Sequence, residues 1–252
     1  VLSLTYSGHT DMIRTMSIDK TGQFLLTGSD DCTVKIWEVN TTRCIKTIKL
    51  DETVRSVEWC PNNAISLLLI ATGAQVVLVN PHVGDSFACK QTDQVLLEST
   101  KNTNSDNIVS DRVKSTVSWE SLSDESDEKY QIGIRTVLKH FKEVSQVTWH
   151  GKGDYFATVM PEGLNRSVLI HQLSRGRSQI PFSKSKGLIQ CVLFHPSKPM
   201  LFVATQRHVR IYDLVQQAMV KKLMTNSRWV SKMAVHPGGD NLLVATYDRK
   251  ML

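Results

Sequence analysis

The chain has 252 residues, is 41% hydrophobic and 21% charged, and carries a net charge of +6. This is the profile of a soluble globular protein with a real core and a leaning toward acidic partners. Its five cysteines (32, 44, 60, 89 and 191) are odd in number and include no C-x-x-C pair, which argues against a disulfide framework or zinc site and for free thiols in a reducing compartment. The opening VLSLTYSGHTD has neither the basic start nor the long apolar run of a secretory signal. The sequons at Asn40 and Asn165 then read as chance matches.

In chain order, residues 8–39 (GHTDMIRTMSIDKTGQFLLTGSDDCTVKIWEV) predict three strands separated by turns. CIKTIKLDETVRSV (44–57) continues with a fourth strand and the start of another. Residues 61–84, PNNAISLLLIATGAQVVLVNPHVG, hold no Asp, Glu, Lys or Arg. A spanning helix needs roughly 20 mostly apolar residues. Here Thr72-Gly73-Ala74-Gln75 breaks the centre, so two buried strands joined by a turn are predicted. Residues 86–133 depart from the pattern. They are rich in Ser, Thr, Asn and acid, and read as an inserted acidic polar loop. Within it Trp119 is either a docking anchor or a lid.

Strands resume at RTVLKHFKEVSQV (135–147), which matches 44–57 in length and register. Three later segments share one shape: VTWHGKGDYFATV (147–159), VLFHPSKPMLFVAT (192–205) and MAVHPGGDNLLVAT (233–246). Each is a short strand, a turn, then an apolar strand. The residues that open these units are Ile13, Val54, Val144, Ile189 and Val230, separated by 41, 90, 45 and 41 positions. The 90 is one period plus the insertion. Four short strands every 40–45 residues or so are the signature of a β-propeller. The repeats run at about 8–48, 49–140 (with the insertion), 141–184, 185–225 and 226–252. The final YDRKML falls inside an expected third strand, so the expectation is an incomplete propeller of about four and a half blades.

His150, His195 and His236 occupy one recurring turn position on three different blades, which spreads them apart and argues against a shared metal. Lys152-Gly153-Asp154 falls in the same turn and reads as turn chemistry, not an adhesion motif. No phosphate-binding glycine loop, nucleophile motif or metal-ligand spacing is present. The expectation is therefore no catalytic residues, no metal, no cofactor, no small-molecule substrate and no membrane span.

The first repeat resembles the WD40 repeat, with Gly8-His9 opening it and Trp37-Glu38 where that family has Trp-Asp. The resemblance implies an all-β propeller that closes with seven blades, and a structural hydrogen-bonded tetrad of His9, Thr27, Asp31 and Trp37. The other third strands (QVVLVN, SVLIHQL, HVRIYDL) lose these residues, so packing there is expected to rest on apolar alternation. GSDDCTVKIWEV, IHQLSRGRSQIPFSKSKG and KKLM…WVSKMAVHPGGDNLL further resemble the block-of-proliferation family, called Erb in fungi. That resemblance implies a non-enzymatic nuclear protein of the nucleolus and nucleoplasm that supports maturation of large-subunit and 5.8S rRNA. Its implied partners are a Pescadillo homologue, a second WD-repeat protein of the same complex, and the preribosomal particle. A generic WD40 adaptor, such as a ubiquitin-ligase substrate receptor or signalling scaffold, is the alternative.

Residues 175–232 hold eleven Lys or Arg and one acid, Asp213. Arg175, Arg177, Lys184, Lys186, Arg207 and Arg210 are the candidate RNA- or partner-binding residues. The acidic run ESLSDESDE (120–128) is placed to cover Arg175 and Arg177.

Overall fold

The computed structural model describes residues 3–105, 111–182 and 187–252. Blade one is the antiparallel sheet β1 (Ile13–Ile18), β2 (Phe24–Ser29), β3 (Thr33–Glu38) and β4 (Cys44–Lys49). Blade two holds β5 (Val54–Trp59), β6 (Leu68–Thr72), β7 (Gln75–Val79), β8 (Val117–Ser121) and β9 (Ile134–His140), in the order β5-β6-β7-β9-β8. Blade three is β10 (Gln146–Trp149), β11 (Tyr155–Val159), β12 (Val168–Gln172) and β13 (Arg177–Gln179). Blade four is β14 (Ile189–Phe194), β15 (Met200–Thr205), β16 (His208–Asp213) and β17 (Ala218–Met224). A fifth, two-stranded sheet pairs β18 (Val230–Val235) with β19 (Leu242–Thr246). This is an incomplete propeller of four full sheets and half of another.

The inner strands β1, β5, β10, β14 and β18 touch in succession, and the sequence repeats the same joint at each seam. The third residue of each unit accepts from a backbone N–H of the next inner strand. Thr15 Oγ1 takes Val57 N–H at 3.1 Å, Ser56 Oγ takes Val147 N–H at 3.2 Å, and Gln146 Oε1 takes Val192 N–H at 2.9 Å. Cys191 takes the Met233 N–H. Two residues on, Ser17 Oγ accepts from Trp59 N–H at 2.9 Å, and the Glu58 carboxyl oxygen accepts from Trp149 N–H. These side chains satisfy edge N–H groups that would otherwise be unpaired at the seam. Inner strands β1, β5, β14 and β18 each carry a bulge just after their first residue.

Apolar faces close the seams. Leu26, Ile36 and Ile48 of blade one pack with Val57, Leu68 and Val79 of blade two. Leu69, Leu78 and Leu138 pack with Val147, Phe156 and Leu169 of blade three. Gly28 lies so near Val54 that a Cβ there would come within 2.5 Å of its methyl. Only glycine permits that approach.

The segment between β7 and β9 is not a polar loop. It contains α1 (Ser86–Ser105), α2 (Asp111–Lys114), the edge strand β8 and α3 (Glu128–Gln131). Leu96, Val113 and Val117 enter the core between blades two and three. The helix is tied down by polar groups. Asp93 accepts from Asn80 Nδ2 at 2.9 Å and from Arg135 Nε at 2.8 Å, and Thr92 Oγ1 accepts from Ser66 N–H at 2.8 Å. The composition is polar because the buried stripe of α1 is built largely from small and hydroxyl side chains: Ala88, Cys89, Thr92, Leu96 and Ser99. The apolar run at 61–84 forms β6 and β7, with Gly73 at φ 51° in the turn between them. Among the described residues no helix is long and apolar enough to cross a membrane.

Candidate interaction surfaces

Blade one brings His9, Thr27, Asp31 and Trp37 together. Trp37 Nε1–H donates to Thr27 Oγ1 at 2.8 Å, and the Thr27 hydroxyl lies 2.8 Å from His9 Nε2. His9 Nδ1 sits 2.8 Å from Asp31 Oδ2. With its proton on Nδ1, the His9 ring donates to Asp31 and accepts from Thr27. Burial would raise the Asp31 carboxyl, but hydrogen bonds from Thr33, His9 and the Thr10 N–H hold it well below the usual carboxylate range. Truncating a buried Trp costs about 3–5 kcal/mol and a single hydrogen bond is worth about 1 kcal/mol. Packing of Trp37, 1% exposed, therefore dominates the energy, and the polar atoms fix the register.

Blade three carries a second such network, contrary to the expectation that the later blades lose theirs. The offsets reveal it. His9 lies four residues before Ile13, and His140 lies four before Val144. Thr158 faces Val147 across the ladder as Thr27 faces Met16, and His171 takes the ladder position of Trp37. The contacts follow: His140 Nε2 is 3.1 Å from Thr158 Oγ1, and Thr158 Oγ1 is 2.9 Å from His171 Nε2. Sequence reading missed the network because His replaces Trp and the Gly-His pair is gone. The constant spacing from Val144 was the available signal.

Trp119 completes this site. On β8 it is half-buried, and its Nε1–H donates to Ser178 Oγ at 2.8 Å, while the same oxygen is 2.8 Å from His171 Nδ1. The indole packs edge-on to His171 and tilted to Phe156. These contacts fasten the inserted segment of blade two to blade three. Burial pushes His140 down to about 4, and burial together with the charge of His140 lowers His171 well below the ordinary imidazole value. Both rings are thus neutral hydrogen-bonding groups near neutral pH.

The turn histidines are apart in kind as well as in blade. His150 packs against Phe194, His195 Nδ1 accepts from the Ser197 and Lys198 N–H groups, and His236 Nδ1 is 3.2 Å from Asp240. Among the described residues no group of three His, Cys, Asp or Glu is placed to hold a metal ion. Gly153 adopts φ 72°, and Asp154 accepts from the Ser174 N–H at 2.9 Å, so Lys152-Gly153-Asp154 is a turn stapled to the end of β12.

The basic residues divide between two blades. Arg175, exposed, and Arg177, half-buried, flank a shallow cleft with Tyr155, Gln172 and Gln179 on blade three. Arg207 is exposed before β16, and Arg210 on β16 lies opposite Lys222 of β17. Lys184 and Lys186 lie outside the described residues. The acidic run does not pair with Arg175 or Arg177 among the described residues. Glu120 instead meets Lys139 at 2.6 Å, Asp127 caps α3, and Lys129 reaches Asp51 at 3.7 Å. Pairing of β8 with β9 directs Glu120 to Lys139, and the cap of α3 holds Asp127 in place.

Comparison with known proteins agrees with this architecture. A family model for the WD domain, G-beta repeat, matches residues 1–38. Proteins named ribosome biogenesis protein BOP1 homolog match nearly the whole chain: 62% identity over 99% of it in Aedes aegypti, 61% over 99% in Culex quinquefasciatus, and 59% over 100% in Drosophila mojavensis. The chain spans 28%, 28% and 31% of those relatives. Identity at this level across both the repeats and the inserted segment assigns the chain to the BOP1-homologue family, of which it is a WD40-propeller portion.

Proposed function

We propose that this chain is the propeller part of a non-enzymatic scaffold in ribosome biogenesis, acting in the nucleus, nucleolus and nucleoplasm. It supports maturation of large-subunit and 5.8S rRNA within a preribosomal complex that contains a Pescadillo homologue and a second WD-repeat protein. The observation that carries this reading is 62% identity over 99% of the chain to a protein named for ribosome biogenesis. The chemistry is compatible with it. The polar networks are buried and serve packing, and the exposed cations suit polyanions. Arg175, Arg177, Lys184, Lys186, Arg207 and Arg210 are the contacts we assign to RNA or an acidic preribosomal partner.

Affinity purification of the full-length protein tests this. A Pescadillo homologue and large-subunit precursor RNA should co-purify, with RNA recovery falling steeply as salt rises, since each phosphate contact releases counterions. Recovery of ubiquitin-ligase subunits or signalling proteins without precursor rRNA would replace this reading with that of a generic adaptor.

A further inference from the structure

We propose that the outer edge of blade four, strand β17 with Arg207 and Arg210 beside it, docks an extended acidic protein segment that carries apolar side chains. This rests on the geometry of the blade and not on the ribosomal role above.

Strand β17 ends its sheet, and no described strand pairs with its outer side. Along it and the preceding turn, Val215, Met219, Val220 and Met224 are 76%, 51%, 56% and 69% exposed. The matching outer strand of blade one, β4, exposes only Ile45 among large apolar side chains, at 36%. Isolated exposed apolar residues need no explanation, but three on one edge strand and a fourth in the turn before it mark a contact surface.

Cations outnumber acids beside them: Arg207, Arg210, Lys221 and Lys222 stand against Asp213, opposite Ala218, and Asp248, which shares a cleft with Arg207 and Met224. Arg210 lies directly opposite Lys222, and Ile211 opposite Lys221. Like charges facing each other across a ladder are destabilising. Arg207 joins them: besides burial, the charges of Lys222, Arg210 and Arg207 all lower the pKa of His208. The Arg210–Lys222 pair is thus a repulsive contact, and an acidic ligand beside it converts that repulsion into attraction.

The same features choose among occupants. Lysines and a bulge, here at Ile211/Tyr212, are the devices that keep an edge from pairing with a copy of itself. A second copy would set lysine against lysine. A polyphosphate would satisfy the cations but leave the methionines and the open backbone edge unused. An extended segment alternating acid and apolar residues satisfies all three.

The test uses the full-length protein and a short fluorescent peptide alternating Glu with Val. Controls are a Glu/Ser peptide of equal charge, a Lys/Val peptide, and oligo(U) RNA. Expected is binding of the Glu/Val peptide that oligo(U) does not displace, weakened roughly tenfold or more by Lys222→Glu and by Met219→Ser. Amides of 218–224 should gain hydrogen-exchange protection when it binds. Because a charge reversal can also disturb folding, Lys222→Glu should in turn bind the Lys/Val peptide better than the parent does. Equal binding of the Glu/Ser peptide, displacement by oligo(U), or no response to either substitution overturns the proposal, the first two in favour of a plain polyanion site.

Discussion

His140 and His171 meet edge to face at 5.7 Å, enclosed at the seam of blades two and three, and pH acts on them in the opposite sense to Glu58 at the same seam. Both histidines are held below the ordinary value of 6.5, His140 at about 4. As pH falls below 6.5 the unfolded chain takes up protons that the folded one refuses, so the stability present above 6.5 is lost toward 4. Burial raises Glu58 from 4.5 to about 8, despite hydrogen bonds from Trp149 and Thr148. Its contribution is full below 4.5 and is lost as pH rises through 8. Below 6.5 two imidazoles outweigh one carboxyl, and above it Glu58 acts alone. Stability to urea should therefore crest near pH 6.5. His140→Gln should remove up to about 1.4 kcal/mol per pH unit from the acid slope, and Glu58→Gln should flatten the alkaline side. Unchanged profiles in both variants would mean that these groups titrate freely. At this scale the sequence displayed only the blade-one set, because its letters match the repeat pattern. The blade-three set keeps the His and Thr positions, puts His171 where Trp37 stands and turns His140 Nδ1 to the Leu138 carbonyl instead of an Asp, so a motif search passes over it while geometry does not.

At the scale of the element, the inserted segment is the main departure from the sequence expectation. Strand periodicity was legible because one face of every strand is buried by a neighbouring blade, which forces alternation. Helix α1 was not, since Thr92 and Ser99 in its buried stripe find polar partners instead of apolar ones. The consequence is that removing residues 92–132, which a loop would tolerate, should here strip Leu96, Val113 and Val117 from the core and uncover Phe156. Trp119→Ala is the finer probe. A half-buried indole that also leaves Ser178 with one partner fewer should cost roughly 2 kcal/mol, about half the range for a fully buried aromatic. Limited proteolysis should find 86–101 and 117–121 resistant in the parent chain and cut more rapidly in Trp119→Ala. Equal cutting rates and equal stability would show that the indole holds nothing in place.

For the whole molecule, the repeat lets each blade report on its neighbour. Met16 of β1 occupies the position of Val57, Val147 and Val192, and Ile18 that of Trp59, Trp149 and Phe194. Those six residues are at most 8% exposed, each covered by the preceding blade, whereas Met16 is 70% and Ile18 56% exposed. The far side repeats the observation, with Leu243, Tyr247 and Met251 exposed around β19. Two apolar faces that the fold buries everywhere else thus stand open in these 252 residues. Open apolar faces of this size favour association. Expressed alone, the 252-residue chain should sediment as concentration-dependent oligomers that disperse when both residues are made charged, as Met16→Glu with Ile18→Glu. The same double change should leave thermal stability within about 0.5 kcal/mol, because substitutions at exposed positions remove little native contact. Monomeric sedimentation of the parent chain at high concentration would show that these faces are covered by some other arrangement of the chain. Strong destabilisation by the double change would show that Met16 and Ile18 pack inside a closed structure.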